Sequence, residues 1–237
     1  MFMTDAVIQL NKLNKSFNHR SGSNHVLKDI NLKVNSGEMV AIVGQSGSGK
    51  STLLSILGLL DVADNGSYDL CNQNTRELSE FQLSQLRNQH IGWVFQNFNL
   101  IADMTVVENL TAPLRFNKKV KSSEYSQLIQ DVLNKVGLSD KKDFFPDELS
   151  GGQQQRVAIA RALICKPDIL LCDEPTGNLD SENSQKIMDL LCELNQEGRT
   201  VLIITHDERV ALCCQQAYKM SDGILSVVHN QEFKRVV

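Results

Sequence analysis

Short unbroken apolar runs recur along this chain between stretches of helical period, a pattern that predicts a sheet threaded by helices. Met39, Val40, Ala41, Ile42 and Val43 form one such run and lead directly into Gly44, as a strand buried on both faces does when it feeds a helix N-terminus. Ile169-Leu170-Leu171-Cys172 and Val201-Leu202-Ile203-Ile204 are two more, separated by a predicted helix over about 181–195 and a turn at Glu197-Gly198. Upstream, 6–13 alternates as a strand and 27–34 as a second with a polar face, and Gly37-Glu38 turns the chain into the run at 39. A helix is predicted over about 50–60, burying Leu53, Leu54, Ile56, Leu57 and Leu60. Between about 79 and 162 the period becomes helical: Phe81, Leu83 and Leu86 share one face, and Tyr125, Leu128, Ile129, Val132, Leu133 and Val136 another. This middle stretch reads as a helical lobe inserted into a single sheet domain that occupies 1–237. After Gly223 the pattern weakens, and no internal repeat interrupts the chain.

The length of 237 residues suits one large α/β domain and is too short for two nucleotide-binding domains in tandem. With 41% hydrophobic and 22% charged residues, and 28 acids against 24 bases, the net charge of -4 argues against nucleic acid as the main partner. No run approaches the roughly 20 apolar residues that cross a bilayer, so a membrane role must pass through another polypeptide. The amino terminus carries Asp5 and lacks the basic and apolar regions of a secretory signal. Cys71, Cys165, Cys172, Cys192, Cys213 and Cys214 form no CxxC pair and read as reduced, mostly packed thiols of a cytoplasmic protein in preference to a metal site.

Chemistry concentrates in three places. Gly44, Gln45, Ser46, Gly47, Ser48, Gly49, Lys50 and Ser51, with Thr52 behind them, make a glycine-rich turn between a buried strand and a helix. Backbone N–H groups and the helix dipole there favour phosphate, Lys50 would neutralise the β- and γ-phosphates, and the Ser51 hydroxyl would ligate Mg²⁺. Asp173 and Glu174 follow the apolar run at 169–172, at the strand edge where ligands of open α/β sheets collect. Asp173 suits the Mg²⁺ shell, and Glu174 is free to orient or deprotonate a water. The third place is Leu149-Ser150-Gly151-Gly152-Gln153, which opens a helix carrying Val157, Ile159, Ala160 and Leu163. Two glycines ahead of a helix make it a second anion site. Spacing alone leaves open whether that site is filled within one chain or by a second copy.

Taken together and in this order, these strings resemble the ATP-binding subunits of ABC transporters over nearly the whole chain. The resemblance implies an α/β P-loop NTPase fold of ABC type, with a mainly parallel core sheet, an antiparallel β part and a helical lobe at about 79–162. It implies ATP and Mg²⁺ as cofactors and a second copy as partner, each ATP lying between the phosphate loop of one chain and Ser150, Gly151, Gly152 and Gln153 of the other. Phe17 would stack on adenine with Val26 in the same pocket, Gln96 would reach Mg²⁺ and link sheet to lobe, His206 would contact the γ-phosphate, and Asp180 would couple the two sites. Phe17 replaces the commoner Tyr, and Cys172 stands where a small or aliphatic residue is usual. The segments 92–100 and 173–181 are similar to the branch that includes macrolide exporters, lipoprotein-releasing ATPases and a cell-division ATPase, and the loop at 18–25 with Ala112-Pro113-Leu114 to its first two members. By that resemblance the subunit hydrolyses ATP to power export or extraction by a separate membrane subunit received near 96–103, on the cytoplasmic face of the inner membrane. The alternative from another class is an ATP-dependent clamp that regulates a cell-envelope complex without transport.

Overall fold

The run at 39–43 forms strand β3 (Met39–Val43), buried at all five positions. It lies inside a six-stranded sheet in the computed structural model, which describes residues 6–19 and 22–228. Before it, β1 (Ala6–His19) and β2 (Gly22–Asn35) make a long antiparallel hairpin, extended by β4 (Asn65–Leu70) and β5 (Gln73–Asn74) into a four-stranded sheet of order β2-β1-β4-β5. The six-stranded sheet adds β6 (Ile91–Val94), β7 (Ile169–Asp173), β8 (Thr200–Thr205), β9 (Gln216–Ser221) and β10 (Ile224–Val228), in the order β10-β9-β3-β8-β7-β6. Only β10 pairs antiparallel.

The two-residue period of β3 divides the interior. Met39, Ala41 and Val43 join Leu170, Cys172, Val201 and Ile203 in one core, shared with helices α3 (Val106–Leu114), α4 (Tyr125–Lys135), α5 (Gly151–Leu163) and α6 (Ser181–Gln196). Val40 and Ile42 join Ile169, Leu171, Leu202 and Ile204 in the other, closed by the four-stranded sheet and α1 (Lys50–Leu57), with Leu86 of α2 (Glu80–His90). A short α7 (Glu208–Ala211) packs beside β3. Alternate side chains of one buried strand thus serve two cores, which is why the run lacks any polar position.

Several expectations change. The helix at 50 ends at Leu57 and not near 60, leaving Leu60 56% exposed. Leu59 turns the chain out with φ 57°, its N–H bonded to the Ile56 carbonyl and that of Leu60 to the Ser55 carbonyl, and Gly58 is needed because a Cβ there would stand 1.7 Å from the Trp93 ring. In the stretch 18–25, expected as a loop, 18–19 and 22–25 are strand, with Asn18 opposite Ser23 and Phe17 opposite Asn24, and 20–21 lie outside the described residues. The stretch 79–162 carries α2 to α5, yet it also supplies β6, which pairs with β7 in the core sheet. The weak pattern after Gly223 is an edge strand with Ile224 and Val227 exposed.

Candidate nucleotide site

Register brings the chemistry to one edge. Val43 stands opposite Thr205, and Ile204 opposite Asp173, so β3, β8 and β7 end level and release Gly44, His206 and Glu174 on the same side of the sheet. The acidic strand is not the immediate neighbour of the phosphate-loop strand, because β8 lies between them. That intervening strand is what inserts His206 between the loop and the acids.

Val26, Gln45, Ser46, Gly47, Gly49, Lys50, Ser51, Thr52, Asp173, Glu174 and His206 line one cleft of about 590 Å³. Gly44 and Ser48 lie beneath it: a Cβ on Gly44 would meet the Met220 carbonyl oxygen at 2.3 Å, and the Ser48 carbonyl accepts a bond from Gly223 N–H at 3.0 Å. Gly47 and Gly49, both in the cleft wall, have φ of 81° and 107°, the left-handed conformations by which a glycine-rich loop can present its N–H groups to an anion. The Lys50 ammonium donates to the Gly44 and Gln45 carbonyls, both at 2.8 Å. Burial pushes Lys50 down from its ordinary value, against the pull of Glu174 and Asp173. Burial, reinforced by the neighbouring Glu174 carboxylate, pushes Asp173 up, while Lys50 opposes the rise. Glu174 sits at φ 44°, held by a bond from its N–H to the Ile204 carbonyl at 2.8 Å. A non-glycine residue in that region costs about 1–2 kcal/mol. The strain aims its carboxylate at His206, whose Nδ1 lies 2.6 Å from Oε2. The cradle of N–H groups and the ammonium fit a polyphosphate, and the Ser51 hydroxyl with the Asp173 carboxylate is the oxygen set that a hard divalent cation takes.

The remaining candidates gather elsewhere. Ser150 caps α5: its hydroxyl accepts from Gln153 N–H at 3.4 Å, and Gln153 Oε1 accepts from Ser150 N–H at 2.9 Å. A Cβ on Gly152 would come 2.5 Å from Asn183 Oδ1, so only glycine lets α5 start against α6. Asp180 caps α6 by accepting from the Asn183 N–H and amide at 2.8 and 2.7 Å, and the bond from the Asn183 N–H holds its carboxyl below the usual range. Gln96 lies with this group and not along the phosphate cleft: Asn178 Nδ2 donates to the Gln96 carbonyl at 3.2 Å and to Asn97 Oδ1 at 2.7 Å. Phe17 lies on the hairpin, 37% exposed, with Lys15 Nζ 5.2 Å from its ring centroid, and does not line the cleft either. Within one chain, then, the phosphate-loop cleft and the capped start of α5 at Ser150 to Gln153 are separate places.

Gln155, which the sequence reading missed, ties them. It is fully buried, and its Nε2 donates to the Pro175 carbonyl at 2.9 Å, linking α5 to the residue after Glu174. A glutamine in a helix reads as surface; its one clue is the placement four residues before buried Ile159, on the same face. Arg161 was missed for the same reason: it donates to the Phe98 and Asn99 carbonyls of a turn in which both residues have positive φ.

A parallel sheet with a phosphate loop after a central strand and acids at a level strand end defines a P-loop NTPase. The ABC transporter family model matches residues 27–177. The macrolide export ATP-binding/permease protein MacB of Mannheimia succiniciproducens is 43% identical over 92% of this chain, and the chain spans only 34% of that relative. The lipoprotein-releasing system ATP-binding protein LolD of Francisella tularensis is 41% identical over 96% of this chain and 99% of its own length. Among solved structures, the dimeric bacterial ABC transporter cassette MJ0796 superposes with a TM-score of 0.84 at 41% identity, covering 92% of this chain and 96% of its own. Its post-hydrolysis dimer bound to ADP and Pi gives 0.86 at 39%, covering 94% and 98%. This chain belongs to the ABC transporter family and is an ATP-binding cassette of it.

Proposed function

We propose that the chain hydrolyses ATP as one half of a homodimer and so drives export or extraction of a substrate through a separate membrane subunit. The observation that carries this reading is the division of the site. Lys50, Asp173, Glu174 and His206 share one cleft, while Ser150 to Gln153 cap a helix that packs against the loop at 178–180 and face no part of that cleft. A second copy, turned head to tail, would supply its signature half to the first chain's phosphate half. MacB and LolD, whose names join ATP binding to export and lipoprotein release, support the output.

In this reading the phosphate-loop N–H groups and Lys50 hold the β- and γ-phosphates, and Ser51 and Asp173 hold Mg²⁺, which neutralises charge on those oxygens. Glu174 orients the attacking water and accepts its proton. His206 bonds Glu174 and lines the same cleft, so it would contact the γ-phosphate and report which nucleotide is bound. Phe17 and Val26 receive the adenine, Gln96 transmits the state of the cleft to the lobe, and Asp180 passes it across the dimer. Loss of the γ-phosphate removes contacts made only in the closed dimer, and the dimer reopens. No described helix is long and apolar enough to cross a membrane. The membrane contact would be a groove of about 630 Å³ beside α2 and the lobe, lined by Phe81, Trp93, Phe95, Pro113 and Phe116, which suits an amphipathic segment of the membrane subunit. That subunit holds the ATPase on the cytoplasmic face of the membrane.

Mixing tests the composite site. A Lys50→Met chain and a Ser150→Phe chain should each be inactive alone, and together form heterodimers with one unaltered site, so turnover should appear on mixing. Continued silence of the mixture, or full activity of the Ser150→Phe chain, would remove the trans arrangement.

A further inference from the structure

At the opposite edge of the sheet, three residues distant in sequence converge. A thiol sulfur of Cys71, a ring nitrogen of His90 and a carboxylate oxygen of Asp168 all lie within 4.8 Å of one another. His90 Nδ1 and Asp168 Oδ2 are 2.6 Å apart. Their placement is imposed by rigid elements. His90 ends α2 one residue before β6, and Asp168 stands one residue before β7; Ile91 and Ile169, which follow them, are register partners. Cys71 opens the two-residue turn between β4 and β5, where Leu70 pairs with Gln73, and its backbone N–H is bonded to the Val7 carbonyl at 2.9 Å.

That turn is an unusual place for a cysteine. Cys71 and Asn72 have φ of 48° and 63°, the two left-handed residues of a type I′ turn, which favours Asn, Asp or Gly at both positions. Asn72 obeys the preference and Cys71 does not, at a cost of about 1–2 kcal/mol. The thiol is partly exposed, and Asp168 has 53% of its side chain open to solvent, so an ion can enter from water.

We propose that Cys71, His90 and Asp168 form a zinc-class metal site that pins the β4–β5 turn to the entry edge of the parallel sheet. A thiolate, an imidazole and a carboxylate suit tetrahedral Zn²⁺ and not Mg²⁺ or Ca²⁺, with a water in the fourth position. Bonds of about 2.0–2.3 Å place tetrahedral ligands roughly 3.3–3.8 Å apart, so the pair at close range opens and the widest pair closes by about 1 Å, within the reach of side-chain rotation. Coordination replaces the S–H bond by S–Zn and releases that proton to solvent, and a proton on the metal-facing ring nitrogen of His90 moves to the other nitrogen. Asp168 stands just before β7, five residues and about 17 Å from Asp173 at the nucleotide cleft, and the site is independent of ATP.

The test is Zn²⁺ titration of the chelator-treated full chain without nucleotide, followed by Co²⁺ substitution. One metal per chain should bind with Kd near or below about 1 μM, and Co²⁺ should show thiolate charge-transfer absorption. Cys71→Ser should abolish that band, and both it and His90→Gln should weaken Zn²⁺ at least ~100-fold, whereas Cys213→Ser should change neither. Circular dichroism checks that each variant folds, and His90→Gln carries the test if Cys71→Ser does not. Absence of stoichiometric binding by the parent chain, or binding that survives both substitutions, would overturn the proposal.

Discussion

Gly44→Ala probes the wall beneath the phosphate loop. The new Cβ would lie 2.3 Å from the Met220 carbonyl oxygen, 2.9 Å from Ser48 Oγ and 3.3 Å from the Met220 carbonyl carbon. Two of these three atoms are backbone of β9, which pairs with β3 up to the last residue before Gly44, so they cannot rotate aside. An ordinary C···O approach is about 3.3 Å, so the loop must retreat by about 1 Å. Overpacking of this size costs about 1–3 kcal/mol, and for a chain of this length each kcal/mol lowers Tm by roughly 2–4 °C. A displacement of ~1 Å at a phosphate cradle should lower kcat by about 10²-fold. Urea unfolding gives the first quantity, and steady-state ATP hydrolysis with fluorescent-nucleotide binding gives the second. Gly198→Ala separates the effects: Gly198 has φ 93° with no atom within 4 Å of its added Cβ, so about 1–2 kcal/mol of backbone strain should reduce stability and leave nucleotide binding untouched. Unchanged stability and turnover in Gly44→Ala would refute the argument that Met220 sets the loop's position.

Two further outcomes are expected. Glu174→Gln keeps the side chain's shape and should slow turnover by at least ~10²-fold while ATP still binds and an ATP-bound dimer accumulates in size-exclusion chromatography; hydrolysis at the parent rate would strip Glu174 of its role. Asp173 gives a pH signature: its folded value is raised from 3.8, so below 3.8 both states hold the proton, and as pH climbs the unfolded chain ionises first and stability falls until the folded value is passed. Asp173→Asn should therefore match the parent well below pH 3.8 and exceed it in urea midpoint by pH 7, although Mg²⁺-dependent hydrolysis is lost; an Asn variant less stable than the parent at pH 7 would contradict the burial cost.

The sequence by itself determined what each element buries and which chemistry it carries. The run at 39–43 had to be a strand with two covered faces, and the glycines, Lys50 and Ser51 behind it had to meet an anion, because these are local consequences of periodicity, φ freedom and charge. Local signals end where neighbours decide. Nothing in the run at 201–204 says that it lies between the phosphate-loop strand and the acidic strand, yet that order sets His206 against Glu174. Leu60 keeps the helical period but is turned out by the left-handed conformation of Leu59, and Gln155 looks like surface until Pro175 receives its amide. Register of long-range strand pairs placed His90 and Asp168 side by side and brought Cys71 to them across a gap no spacing rule detects. Tertiary structure also decided that Ser150 to Gln153 start a helix against α6 and away from the cleft that the phosphate loop lines, since helix packing, which depends on contacts between segments distant in sequence, determines where each helix N-terminus lies.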